Sequence, residues 1–221
     1  MRLYDGAYGP NPFTVRLFIA ERKGLSLDIE QLDLLNLENR GERYVQEVNS
    51  RGELPAFRLD DGSVITEITA ICEYLDEVSS EPHTLIGSAP KERAETRMWT
   101  RRVDLEIVQN LVNWWRASDQ AVAFYRGHRI LPPRDSQDTY KRLAEQGLAF
   151  LEAQLKDRTF ICGDRLTLAD VILFAVASTL GEAVPWWRSE KRPCVSAWYA
   201  RMNDRPSVAS AKEPVNGHLS V

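Results

Sequence analysis

Polar and apolar positions alternate from Arg2 to Asp5, and after Asp5-Gly6 and a loop, Phe13, Leu17, Phe18 and Ala20 recur at helical spacing as far as Gly24. A period of two marks a strand and a period near 3.6 marks a helix, so this segment reads strand, loop, helix. Leu27 to Leu34 alternates as a second strand, and Gly41 to Val48 follows as a weaker helix with Tyr44 and Val48 on its apolar face. Leu54 to Leu59 and Val64 to Thr66 flank Asp60-Asp61-Gly62. Asp-Gly readily takes the positive φ of a tight turn, which makes this a hairpin signature. A helix over Glu67 to Val78 closes the segment. The order βαβ and then ββα predicts an α/β, thioredoxin-like N-terminal domain.

Ser79-Ser80-Glu81-Pro82 and Gly87-Ser88-Ala89-Pro90 are loop-forming clusters, and beyond them strand signals cease. Lys91 to Arg126 carries an apolar stripe of Val103, Ile107, Leu111 and Trp114, and Gln137 to Lys156 repeats the rhythm with Leu143, Leu148, Leu151 and Leu155. Further helices are expected over Leu168 to Leu180 and Val195 to Asp204, with a loosely structured tail after Pro206. The expected organisation is a thioredoxin-like domain over residues 1–80, a linker over 81–89 and an all-α C-terminal domain over 90–221.

Composition narrows the function classes. A length of 221 residues suits two small domains, and 43% hydrophobic with 27% charged residues describes a chain that packs a core and stays soluble. Lys and Arg total 28 against 32 Asp and Glu, a formal charge of −4 that argues against a nucleic-acid or anionic-membrane partner. No apolar run nears the ~20 residues of a membrane span and the start lacks a signal-peptide pattern, so a cytoplasmic location is expected. Cys72, Cys162 and Cys194 form no Cys-x-x-Cys pair, and His83, His128 and His218 stand apart. Neither a disulfide framework, a metal site nor a hydrolase triad is suggested by these spacings. Thr167-Leu168-Ala169-Asp170 carries threonine and aspartate at the spacing that satisfies orphan N–H groups of a helix start, and is read as a structural cap.

The stretch Asn49-Ser50-Arg51-Gly52-Glu53-Leu54-Pro55-Ala56-Phe57, followed by Asp61-Gly62-Ser63-Val64-Ile65-Thr66-Glu67-Ile68-Thr69-Ala70-Ile71, resembles the glutathione transferase superfamily. The Thr167 to Asp170 box and the closing Trp198 to Pro206 extend the likeness over most of the chain. The resemblance implies glutathione as co-substrate, a homodimer, and a cis Leu54-Pro55 peptide whose leucine backbone binds the cysteinyl part of glutathione. Glu67 matches the acid that holds the γ-glutamyl ammonium. Ile68 stands where relatives have serine, so its backbone N–H remains as a donor to the γ-glutamyl carboxylate while the hydroxyl is gone. Arg40, Arg43 and Arg51 are candidates for the glycine carboxylate, Arg51 being nearest to Leu54 in sequence. Glu53 would repel that carboxylate unless an arginine pairs it. Arg101 and Asp104 are read either as reaching the partner subunit's glutathione or as surface ion-pairing groups.

Relatives lower the glutathione thiol pKa with a Ser, Cys or Tyr after the first strand. Anchored on Val15-Arg16, that position falls at Gly9, followed by Pro10, so a serine or cysteine mechanism is disfavoured. Gly9-Pro10-Asn11-Pro12 is similar to the yeast-type atypical and the bacterial nu-type transferases. Asn11 is the first candidate for stabilising the thiolate, aided by the N–H groups of Phe13 and Thr14 at the helix start. Its other reading is a helix cap, and the two are compatible. Tyr8 is the second candidate. The electrophile pocket is expected from Phe13, Trp114 and Trp115, with one tryptophan touching substrate and the other packed. The expected reaction adds glutathione to a hydrophobic electrophile. Cleavage of aromatic β-ethers and peroxide reduction are the neighbouring activities, and a non-catalytic interaction module is the rival of another class, favoured by Gly9 and Ile68.

Overall fold

The computed structural model describes residues Met1–Val221 as two units, one of Met1–Ser88 with Arg205–Val221 and one of Ala89–Asp204. The first begins β1 (Arg2–Asp5), α1 (Pro10–Arg22), β2 (Ser26–Gln31), α2 (Glu42–Glu47), β3 (Ala56–Arg58), β4 (Val64–Thr66) and α3 (Ile68–Val78). β1 and β2 run parallel, as a strand, helix, strand crossover requires, while β3 is antiparallel to both β1 and β4. Leu3, Val15, Leu17, Phe18, Phe57, Ile71 and Leu75 are wholly buried and form the core between the sheet and its helices.

The second unit contains α4 (Pro90–Val103), a π-helical turn over Asp104–Val108, α5 (Gln109–Arg116), α6 (Asp119–Tyr125), α7 (Gln137–Gln154), α8 (Leu168–Leu180) and α9 (Pro193–Asn203). The single helix expected from Lys91 to Arg126 is therefore interrupted twice. At the π turn an extra residue frees carbonyl groups, and the Asn110 amide donates to those of Leu105 (3.1 Å) and Glu106 (2.9 Å). A side chain at Gly147 of α7 would put its Cβ 2.7 Å from the Glu106 carbonyl oxygen, so only glycine lets the two helices approach there. The second break falls at Ala117 and Ser118, where the chain restarts as α6. α8 is buried along nearly its whole length, which explains why its apolar residues show no single stripe.

The tail corrects the expected organisation. Residues after Arg205 form α10 (Pro206–Lys212) and β5 (Gly217–Ser220), and both belong to the first unit. β5 pairs antiparallel with β2, giving a five-stranded sheet of order β4-β3-β1-β2-β5. An open β2 edge exposes unpaired N–H and C=O groups, and the tail covers it. α10 packs against α1, where Arg205 and Ser207 donate to the buried Glu21 carboxylate. The domain expected over 90–221 thus loses its last stretch to the sheet unit. Gly217 to Ser220 carries one large apolar side chain, too little patterning for a strand to be seen in advance. No helix is long and apolar enough to cross a membrane.

Candidate functional site

Strand register gathers the motif residues. Tyr4 of β1 pairs with Ala56 of β3, and Ala56 pairs with Thr66 of β4, so the end of β1, the start of β3 and the end of β4 lie in one row. The loop of Gly6 to Gly9, the Leu54–Pro55 peptide and Glu67 consequently meet at one end of the sheet. Leu54–Pro55 is cis, and Leu54 is buried with Tyr4, Leu32, Tyr44 and Ala56.

Glu67 stands immediately before α3 with φ 70° and ψ 124° and no side-chain cap. A non-glycine residue at positive φ costs on the order of 1–3 kcal/mol, a strain that clusters where ligands bind. The first helical bond runs from the Ile71 N–H to the Glu67 carbonyl (3.0 Å), which leaves the N–H groups of Ile68, Thr69 and Ala70 without helical acceptors. The Glu67 side chain is exposed. This helix start holds free donors beside a free carboxylate, a pair suited to a zwitterionic ligand.

The start of α1 is built differently. Gly9 is its cap, with φ 94°, and Pro10 and Pro12 lack N–H groups. The Phe13 N–H is already bonded to the Gly9 carbonyl (3.3 Å), and Thr14 lies deeper in the helix with its hydroxyl on the Pro10 carbonyl (2.8 Å). The expectation that Phe13 and Thr14 offer free N–H groups is therefore corrected: Gly9 and Asn11 hold the only ones in the first turn. Asn11 is not the cap but the second helical residue, exposed, with its amide unbonded. Tyr8 is 56% exposed beside it, whereas Phe13 is 6% exposed with Arg16 packed on its ring. Phe13 is a core residue and offers a ligand little surface.

The segment between α2 and β3 is pinned from below. The Tyr44 hydroxyl (2.8 Å) and Asn49 amide (2.9 Å) donate to the Glu53 carbonyl, and the Asn39 amide donates to that of Gly52 (2.6 Å). Burial pushes the Tyr44 phenol well up, which keeps it a donor. Arg51 Nε pairs with the Glu53 carboxylate at 3.1 Å on the surface, so the acid that would repel a ligand has an arginine beside it. Arg43 is taken by Glu30 at 2.6 Å. Arg40 donates to the Arg51 carbonyl (2.7 Å) and has no carboxylate partner.

Sequence reasoning missed the support beneath this end of the sheet. Arg16, 7% exposed, bonds both oxygens of the fully buried Asp5 (2.9 and 3.1 Å), and the Gln31 amide adds a third contact (2.6 Å). Burial pushes the Asp5 carboxyl up, and Arg16 and Gln31 pull it back. The available signal was a charged side chain between Val15 and Leu17 on a helix otherwise apolar there.

Comparison with known proteins fits this arrangement. Residues 9–78 match the family model described as glutathione S-transferase, N-terminal domain, and residues 113–206 match that of the C-terminal domain. Glutathione S-transferase 2 of Saccharomyces cerevisiae is 30% identical, over 96% of this chain and 90% of its own. The chain belongs to the glutathione S-transferase family. A solved glutathione S-transferase domain-containing protein of Marinobacter aquaeolei superposes with a TM-score of 0.83 at 29% identity, over 94% of this chain and all of that one (100%). The β-etherase LigF of Sphingobium sp. superposes with a TM-score of 0.76 at 28% identity, over 95% and 97% of the two chains.

In the helical unit of the transferase, Trp114 and Trp115 both line a shallow groove of about 220 Å³ with Ser118, Gln120 and Gln137. Trp114 sits edge-on to Trp186 (5.6 Å), and Trp115 rests against Phe124 (5.8 Å) and Tyr125 (6.1 Å), so each is held from behind while one side stays open. Thr167 and Asp170 form the cap their spacing implied. One Asp170 oxygen accepts from the Thr167 N–H and hydroxyl (both 3.0 Å), the other from the Ile161 N–H and Trp198 indole (both 2.9 Å). Burial pushes this carboxyl up, against its four donors. Cys72 and Cys162 are buried, their thiols pushed up, Cys162 to about 11, which makes both poor nucleophiles.

Proposed function

We propose that this protein binds glutathione at the row formed by β1, β3 and β4, stabilises its thiolate and transfers it to a hydrophobic electrophile. The observation that carries the reading is the pair of uncapped helix starts at that row, one with free donors beside Glu67 and one with the unbonded Asn11. The Leu54 backbone beside Pro55 takes the cysteinyl part. Glu67 accepts from the γ-glutamyl ammonium, and the Ile68 N–H donates to the neighbouring carboxylate. Arg40 is the better partner for the glycine carboxylate, because Arg51 is committed to Glu53.

The thiolate faces Asn11, whose amide and backbone N–H are both donors. Lowering a thiol pKa from near 9 to near 7 takes about 2.7 kcal/mol of preferential thiolate stabilisation. The sulfur then attacks an electrophilic carbon, a C–S bond forms, and the leaving group departs with the electron pair or the adduct takes up a proton. Tyr8 lies beside the sulfur's position as a wall for the acceptor. Positioning and thiolate stabilisation account for the rate. A cytoplasmic homodimer completes the reading. Displacement of a phenolate from an aromatic β-ether is a second reading, favoured by the likeness to LigF.

Calorimetric titration with glutathione, followed by ultraviolet titration of the bound thiol, tests the proposal. Micromolar to low-millimolar binding is expected, with a thiol pKa below that of free glutathione. Glu67→Ala should weaken binding by more than tenfold, about 1.4 kcal/mol. An unchanged affinity overturns the site, and no binding to the native protein returns the choice to an interaction module.

A further inference from the structure

The geometry points to Arg16 as the positioning residue of the thiolate site, with the C-terminal tail as its anchor, an inference that rests on the transferase reading above. Arg16 does not reach the row of candidate ligand contacts from above. It lies beneath the loop that leaves β1, and its guanidinium divides between two jobs. One nitrogen donates to Asp5 (2.9 and 3.1 Å) and to the Gly6 carbonyl (2.6 Å), and a second stands 3.5 Å from the Ala7 carbonyl. The third, Nε, donates to the Ala211 carbonyl of α10 (2.9 Å). Gln31 repeats the pattern, bridging Asp5 (2.6 Å) and the Val215 carbonyl (2.9 Å).

Two carbonyls drawn toward the guanidinium decide where the loop's donors go. In a trans peptide the N–H points opposite to the C=O. The Gly6–Ala7 and Ala7–Tyr8 peptides are trans, so the N–H groups of Ala7 and Tyr8 face away from Arg16. Neither has a partner within the chain, and both residues are exposed while Gly6 is buried. A Cβ at Gly6 would stand 2.8 Å from Leu34 and 3.3 Å from Leu54, so the inner side of the loop is packed against the residue that precedes Pro55. Arg16 thereby turns two backbone donors outward on the loop that also carries the N–H of Gly9 and leads into the helix start that carries Asn11. Its own charge is spent on Asp5, so it acts by orienting peptides and not by its field at the sulfur. A lysine keeps the charge but cannot bond Asp5, the loop carbonyls and Ala211 together.

The test compares native protein with Arg16→Lys in three measurements: the pKa of the bound glutathione thiol, the pH profile of kcat/KM, and the affinity for S-methylglutathione, which has no thiol to ionise. The bound-thiol pKa is expected to rise by about one unit, from near 7 to near 8, which cuts the thiolate at pH 7 about fivefold, and the profile to move alkaline with it. S-methylglutathione affinity should stay within about threefold. An unchanged thiol pKa in the folded variant overturns the proposal, as does a loss of S-methylglutathione binding in step with the rate. Native protein that fails to bind S-methylglutathione overturns the transferase reading itself. Where Arg16→Lys does not fold, Gln31→Met decides, since it separates Asp5 from the tail and leaves the loop contacts of Arg16 in place. A smaller rise of the thiol pKa is expected there, and no rise overturns the tail's part.

Discussion

Three helix starts in this protein solve the same problem in opposite ways. At α8 the orphan N–H groups are sealed: Thr167 and Asp170 are wholly buried, and Asp170 accepts four hydrogen bonds from its own chain. At α1 and α3 no side chain caps the helix, the preceding residue is held at positive φ, and the Asn11 and Glu67 side chains are exposed. A terminus closed by its own residues stabilises the fold and has nothing left to offer. A terminus kept open, at the cost of backbone strain at Glu67, has donors in reserve for a ligand. The contrast separates sealed from open helix starts without reference to their residue types, since an acid stands at both kinds of terminus.

The sealed terminus gives the largest expected effect. Asp170→Ala strips acceptors from the N–H groups of Ile161 and Thr167 and from the Trp198 indole, at about 1–3 kcal/mol for each buried donor left unpaired. Thermal unfolding should show a loss of more than about 3 kcal/mol or no recoverable folded protein, and a variant melting within a few degrees of native would erase the contrast. At the open start of α1, Asn11→Ala should leave the melting temperature nearly unchanged and raise the bound thiol pKa by roughly one unit, about 1.4 kcal/mol. Identical titrations of variant and native protein would take Asn11 out of the thiolate site. Ile68→Ser sharpens the comparison at α3 by adding a hydroxyl at the helix start, and calorimetry should record glutathione binding tightened by roughly two- to fivefold.

The smallest effect concerns α9, whose first N–H groups, those of Cys194 and Val195, are taken by Glu152 (3.0 and 2.8 Å). Burial opposes ionisation of Glu152, yet these N–H groups prevail and hold its carboxyl below the ordinary value of 4.5. A carboxyl depressed in the folded state contributes stability above its unfolded pKa, lost as pH falls through the folded value. Glu152→Gln should therefore lower the melting temperature by a few degrees at neutral pH, with the gap closing at the acid end. A gap independent of pH would assign the effect to packing.

Much of this was legible in the chain because it is local. Asp60-Asp61-Gly62 forms its hairpin, Leu168 to Leu180 is helical over the expected range, and Thr167 caps it through a residue three positions on. Position relative to Pro55 and Glu67 also singled out candidate residues that the strand register brings to one end of the sheet. The sequence misled where a contact is distant or a side chain's surroundings decide. Phe13 keeps the spacing of a pocket residue and is buried.

By itself, then, the sequence determined the order of elements, the sealing of α8 and the family motif, each set by residues a few positions apart whose conformational preferences act locally. Tertiary structure alone decided that the tail joins the sheet and that Arg16 bonds Ala211, 195 positions away. Such partners have no fixed spacing: an open strand edge and a buried guanidinium take whatever carbonyls the folded chain returns to them.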